Sequence, residues 1–182
     1  QRIDAVTGAE VGSNDFRISD MGPDGDTAFI AFNPAVSWNA RSDEFLVVWE
    51  GEDDTAPLVD NEREIFGQLL DAAGNEIDTN DFRLSDMGPD GDTAFDAFAP
   101  AVVWNARDNE SLVVWHGDDD TGALVDGENE IFGQFFSSIT ASGGGGGCVL
   151  NHAYTRFDPV FLLLILFASG YLLRKHTGRF RR

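Results

Sequence analysis

The stretch SLVVWHG, residues 111–117, decides the architecture. Successive side chains of an extended strand point to opposite faces of a sheet. Leu112 and Val114 therefore share one face, and Val113 and Trp115 share the other. Both faces are apolar, so this sheet needs cover on both sides. A two-layer sandwich would leave one face polar.

The same stretch occurs earlier as FLVVWEG, residues 45–51, and the spacing of 66 recurs along the chain. NDFRISDMGPDGDTAF (14–29) returns as NDFRLSDMGPDGDTAF (80–95), PAVSWNAR (34–41) as PAVVWNAR (100–107), and EIFGQ (64–68) as EIFGQ (130–134). Roughly three-quarters of the positions from 14 to 68 match, which is a tandem duplication. Each unit reads as four short strands: DFRLS, PAVVWN with Pro100 at its first position, SLVVWHG, and EIFGQ with its continuation. Gly, Asn and Asp clusters separate them, as turns require. No segment of the first 140 residues has sustained helical periodicity.

The expected fold is all-β: two tandem four-stranded antiparallel blade-like units, a fragment of a β-propeller, followed by a C-terminal hydrophobic α-helix. Stacked blades cover each sheet on both faces. The alternative is a β-sandwich or a stack of sheets. A unit of 66 residues exceeds the usual blade of about 40–50, and the excess lies in two acidic loops. The start QRIDAVTGAEVGSNDF aligns with QLLDAAGNEIDTNDF, given one extra residue in the turn. Gln1 thus stands where Gln68 stands, and a further copy is expected upstream. The expected divisions are 1–13, the end of a preceding repeat; 14–79 and 80–138, the two units; 139–148, a Gly-rich linker; and 149–182, a sorting or anchor segment with a helix over 159–173.

The residues PAVVWN, SLVVW, EIFGQ and DFRLS resemble a repeat of many secreted bacterial proteins, usually read as propeller blades. The resemblance covers Gln1 to about Phe136. It implies a fold more than an activity, because propellers host unrelated functions.

Charge is unevenly placed. Gln1 to Gly147 carries 31 acidic residues and 6 arginines, a net −25, while Cys148 to Arg182 carries one acid and six bases, a net +5. The acidic part should repel nucleic acid, whose phosphates call for Lys and Arg. Its loops are SDMGPDGDTAFD (85–96) and GDDDTGALVDGENE (117–130), each with a copy in the first unit. Calcium takes six to eight oxygens, often from closely spaced Asp beside a turn-forming Gly. Candidate ligands are Asp20, Asp24, Asp26, Asp86, Asp90, Asp92, Asp119, Asp120, Asp126 and Glu128, with Asp118 and Glu130 beside them. The spacing is not that of an EF-hand. Two other readings stand: solvated turns, or a binding surface for a partner.

No catalytic constellation is present. G-x-S-x-G, H-E-x-x-H and a Gly-rich phosphate loop are all missing, and His116 stands where the sister unit has Glu50. The chain is expected not to be an enzyme. Trp38, Trp49, Trp104 and Trp115 recur at strand positions and read as core.

After Gly143, Gly144, Gly145, Gly146 and Gly147 comes Cys148, the only cysteine. Asp158-Pro159 is a good helix start. The apolar run of 14 residues over 160–173 is short beside the roughly 20 of a spanning helix. Its ten Leu, Ile, Phe and Val residues are nonetheless worth roughly −3 to −6 kcal/mol of insertion. Arg174, Lys175, Arg179, Arg181 and Arg182 follow, which places this end in the cytoplasm and the acidic body outside. Gly-rich spacer, short apolar helix and basic terminus together resemble C-terminal sorting signals of Gram-negative bacteria, of the GlyGly-CTERM and JDVT-CTERM kinds. That resemblance implies an intramembrane sorting protease as partner, delivery to the cell envelope, and Cys148 as the processing or lipid-attachment residue. A plain single-pass anchor is the other reading. The expected function is a surface-displayed binding or adhesion scaffold with an unknown ligand. The alternative is the non-catalytic propeller portion of a larger secreted hydrolase.

Overall fold

The computed structural model describes residues 1–12, 14–53, 56–120, 122–125 and 127–137. The chain divides into two units, Gln1–Thr140 and Ala141–Arg182, and all the described residues lie in the first. They are all-β, with three antiparallel sheets. Strands β1 (Arg2–Ile3) and β2 (Glu10–Val11) form a hairpin. Strands β3 (Ala31–Asn39), β4 (Glu44–Gly51), β5 (Glu64–Asp71) and β6 (Glu76–Arg83) form a meander paired in chain order. Strands β7 (Ala97–Asn105), β8 (Glu110–Gly117) and β9 (Glu130–Phe136) form the third sheet in the same way.

The β1–β2 hairpin repeats the start of the β5–β6 hairpin. Arg2 pairs with Val11 and Ile3 with Glu10, as Leu69 pairs with Ile77 and Leu70 with Glu76. The turns also agree. Asp4 accepts from the backbone N–H of Thr7 at 2.7 Å, and Asp71 from those of Ala73 at 2.8 Å and Asn75 at 2.9 Å. These bonds hold both carboxyls below their usual range, the bond to Thr7 acting most on Asp4 and the Asn75 side chain most on Asp71.

Two details of the strand reading need correction. DFRLS does not open its own unit's sheet. Residues 81–83 end β6, which closes the sheet of the unit before: Arg83 pairs with Phe66 and Phe82 with Gly67. Its counterpart at 15–19 is in no strand. The sheets are therefore one strand out of phase with the sequence repeat, because the free edge of β5 is what this segment pairs with. Pro100 also lies inside β7 rather than at its start, at a register break between Phe98 and Ala101; Pro34 repeats this in β3. A bulge removes residues from the ladder, so the missing N–H of proline costs nothing there.

Alternation in LVVW works as the sequence predicts. Leu46 and Val48 join Ile65 and Leu69 on one face of the first meander, where Val113 and Trp115 of β8 complete the core. Val47 and Trp49 face the other way, with Phe66 and Leu70, under Ile18 and Met21. Leu84, Met87 and Phe95 are buried in the core shared by the two meanders. Among the described residues no helix is long and apolar enough to cross a membrane. The helix expected over 159–173 lies outside them.

Candidate binding surface at the acidic loops

Register brings the acidic loops together. Ala31 pairs with Gly51, which pairs with Glu64, so the loops 20–30 and 52–63 leave the first meander at the same end. Ala97, Gly117 and Glu130 do the same for loops 86–96 and 118–129. Backbone bonds tie the loops within and between units: Glu52 N–H to Ile30 carbonyl at 3.1 Å, and Ala97 N–H to Arg63 carbonyl at 2.8 Å. Arg63 N–H donates to Asp96 at 3.0 Å, and its guanidinium to the buried Glu52 at 2.8 Å.

Most of the predicted cation ligands have protein partners. Arg17 pairs with Asp20 at 2.8 Å and with Asp24. One repeat later Arg83 pairs with Asp86 at 2.7 Å and Asp90 at 2.6 Å. Asp26 accepts from Ala28 N–H and Asp92 from Ala94 N–H, each at 3.0 Å. Asp119 accepts from Gly88 N–H at 3.2 Å, and Asp118 from Gly127 N–H at 2.9 Å. Asp120, Glu128 and Glu130 are exposed, and Asp126 lies outside the described residues. Among the described residues no three His, Cys, Asp or Glu side chains converge as a metal site.

Sequence reasoning missed the acids that matter most to the structure. Glu64 is buried, accepts from the Ser85 hydroxyl and from Met87 N–H at 3.0 Å, and lies 3.6 Å from Arg83. Burial is the largest influence on its carboxyl, which is pushed up to about 7. Glu62 is fully buried; Oε2 accepts from the N–H groups of Val59 and Gly91, each at 3.0 Å, and Oε1 has no hydrogen-bond partner among the described residues.

The four tryptophans divide. Trp49 and Trp115 are buried and donate Nε1–H to Met21 and Met87 sulfur, each at 3.3 Å. Trp38 is exposed and packs on Phe45, ring centroids 4.5 Å apart, whereas Trp104 is half-buried. Gly143 to Gly147, Cys148, Arg174, Lys175, Arg179, Arg181 and Arg182 lie outside the described residues. No protein-family model, curated protein or solved structure matches the chain.

Proposed function

We propose that the chain is a repeat scaffold of propeller-like blades, displayed outside the cell and used for binding or adhesion through its acidic loops. The observation that supports this is the register of each meander, which brings its two acidic loops to one end, together with the bonds between Arg63 and residues 96 and 97 that join those ends. Paired arginines and backbone donors hold the loop bases, and the outer acids Asp60, Asp120 and Glu128 stay exposed. Such a rim favours a cationic ligand. The C-terminal segment belongs to the same proposal: its spacer, apolar run and basic end suit delivery to the cell envelope, with Cys148 as the processed or lipidated residue.

The test is binding of the full chain to cells and to a cationic surface at rising salt. The expected outcome is binding that falls with salt and falls again in the Asp60→Asn, Asp120→Asn, Glu128→Gln variant. Salt-independent binding that the variant keeps would remove the loops from this function. Calcium enters on one further observation, the buried Oε1 of Glu62, which has no partner among the described residues and lies between two acidic loops. A cation bound only by the folded chain raises its melting temperature. Millimolar calcium should therefore raise it above the value in chelator, and Glu62→Gln should abolish the rise. Equal melting in both removes calcium from the reading.

A further inference from the structure

At the end of each meander away from its acidic loops, the β3–β4 and β7–β8 turns come together. Asn39 pairs with Glu44 beside the first turn, and Asn105 with Glu110 beside the second. Between them, against Leu69 and Phe136, lies a cavity of about 10 Å³. The first meander supplies Asn39 and Glu44 to its lining, and the second supplies Asn109 and Ser111.

The polar side chains here are deeply buried: Glu44 is 4% exposed and Ser111 6%. Asn39 is occupied by its own turn. Its Oδ1 accepts from the N–H groups of Arg41 at 2.9 Å and Ser42 at 3.2 Å, and its Nδ2 donates to Glu44 at 3.2 Å. Asn109 is fixed by its backbone, whose N–H donates to the Asn105 carbonyl at 2.9 Å. Its side-chain Oδ1 is buried and has no hydrogen-bond partner among the described residues. Trp104 stands directly opposite Ser111 in the β7–β8 ladder, so the two side chains share a face. Its Nε1 is likewise buried without a partner among the described residues. An acceptor and a donor are thus left over at the same end of one sheet, and a buried polar group without a partner is costly.

We propose that this cavity binds one internal water, which joins the two meanders. A single water needs about 10–15 Å³ and two to four polar partners, and nothing larger fits the space. The water donates to Asn109 Oδ1 and to the Glu44 carboxylate, and it accepts from the Ser111 hydroxyl. Asn109 Oδ1 calls for a donor, and no Lys or Arg lines the cavity to provide one. A void that stays dry has an apolar lining, which this one lacks. Glu44 belongs to one unit and Asn109 and Ser111 to the other, so the site exists only where two units meet. Escape of the water requires the meanders to part at this end. The inference does not depend on the proposed function, whose loops leave the sheets at the other end.

Nuclear Overhauser transfer from water to leucine methyl protons tests it, in the full chain with its apolar run over 160–173 held in nonionic detergent. Leu46 and Leu69 line the cavity and are 3% and 5% exposed, so surface water does not reach them. The result expected is a cross-peak from water to the methyl groups of both residues, lost in Ser111→Val. Valine fills the cavity and removes the hydroxyl, and the sister unit already carries the apolar Phe45 at this strand position. The same loss is expected in Ser111→Thr, a smaller change that fills the space and keeps a hydroxyl. A signal relayed through exchange of the hydroxyl proton would survive in that variant and overturn the proposal. Absence of the cross-peaks in the wild type overturns it whatever the variants do. So does their loss from the wild type in millimolar calcium or in potassium chloride, which would make this a cation site.

Discussion

Gly88 and Gly91 have similar backbones and different surroundings. Both have positive φ, +63° and +85°, a region costly to residues with a Cβ. A Cβ on Gly88 would also collide with the Phe95 ring, whereas among the described residues nothing lies within 4 Å of one on Gly91. Gly91→Ala should cost about 1 kcal/mol, the backbone term alone. Gly88→Ala should cost about 2–4 kcal/mol, since overpacking adds to it. Urea melts of both variants check this, and equal losses would mean that Phe95 moves aside freely. Glu64 gives the pH prediction. Its folded carboxyl titrates near 7, above the unfolded value of 4.5. The folded state then holds the proton more tightly, so the contribution is complete below pH about 4.5 and fades as pH rises through about 7. Glu64→Gln should remove that fall, on the order of 2–3 kcal/mol. Stability differences between wild type and variant at both ends of this window measure it. A difference that stays constant with pH would show that Glu64 remains ionised in the fold. None of this was legible in the sequence. A buried glutamate has the same letter as its many exposed neighbours, and only the approach of Ser85 and Met87 distinguishes it.

The strands show where pattern succeeds and where it stops. Period-two alternation of apolar residues in LVVW fixes the two faces of β4 and β8, because the pleat leaves no other choice. The all-β class, the repeat and the meander order β3-β4-β5 follow from that pattern and from the turn residues. The phase of the sheets does not. DFRLS has the composition of a strand wherever it pairs, and the free edge of β5 decides its partner. Pro100 reads as a strand start for a similar reason, since a bulge leaves no compositional mark beyond the proline itself. That bulge carries strain. Ala99 has φ of 50°, where the sister unit places Asn33 at 51°. Asparagine enters the left-handed region more readily than alanine. Ala99→Asn is exposed and should stabilise the chain by about 0.5–1 kcal/mol, measured by chemical denaturation. A loss of stability instead would mean that the bond from Ala99 N–H to Glu50 at 2.6 Å is disturbed by the longer side chain.

At the scale of the whole molecule, the two meanders share one core. Val113 and Trp115 are buried against the first sheet, and Leu84 and Met87 lie in the same cluster. In arrays of this type stability resides largely in contacts between neighbours. Trp115→Ala should cost about 3–5 kcal/mol, and hydrogen exchange should quicken in β4 and β5 as well as in β8. Loss confined to β7–β9 would show two independently stable sheets. The loops of the candidate site were legible as acidic turns on a scaffold. Their common end was not, because it follows from strand register within each meander and from the bonds of Arg63 to residues 96 and 97, and both need the pairing itself.

The offset between sheet and repeat also bears on how such a chain changes length. Most of the buried residues in the core shared by neighbouring meanders recur at 66 positions, among them Leu46, Val48, Ile65, Met87, Val113 and Trp115, and β6 crosses the boundary between units. An unequal exchange between two copies of the gene, at any point in the repeat, therefore rejoins half of one grip to the matching half of another. The gain or loss of a whole copy creates no junction that the fold has not already made. Array length can change while each interface keeps the recurring apolar core.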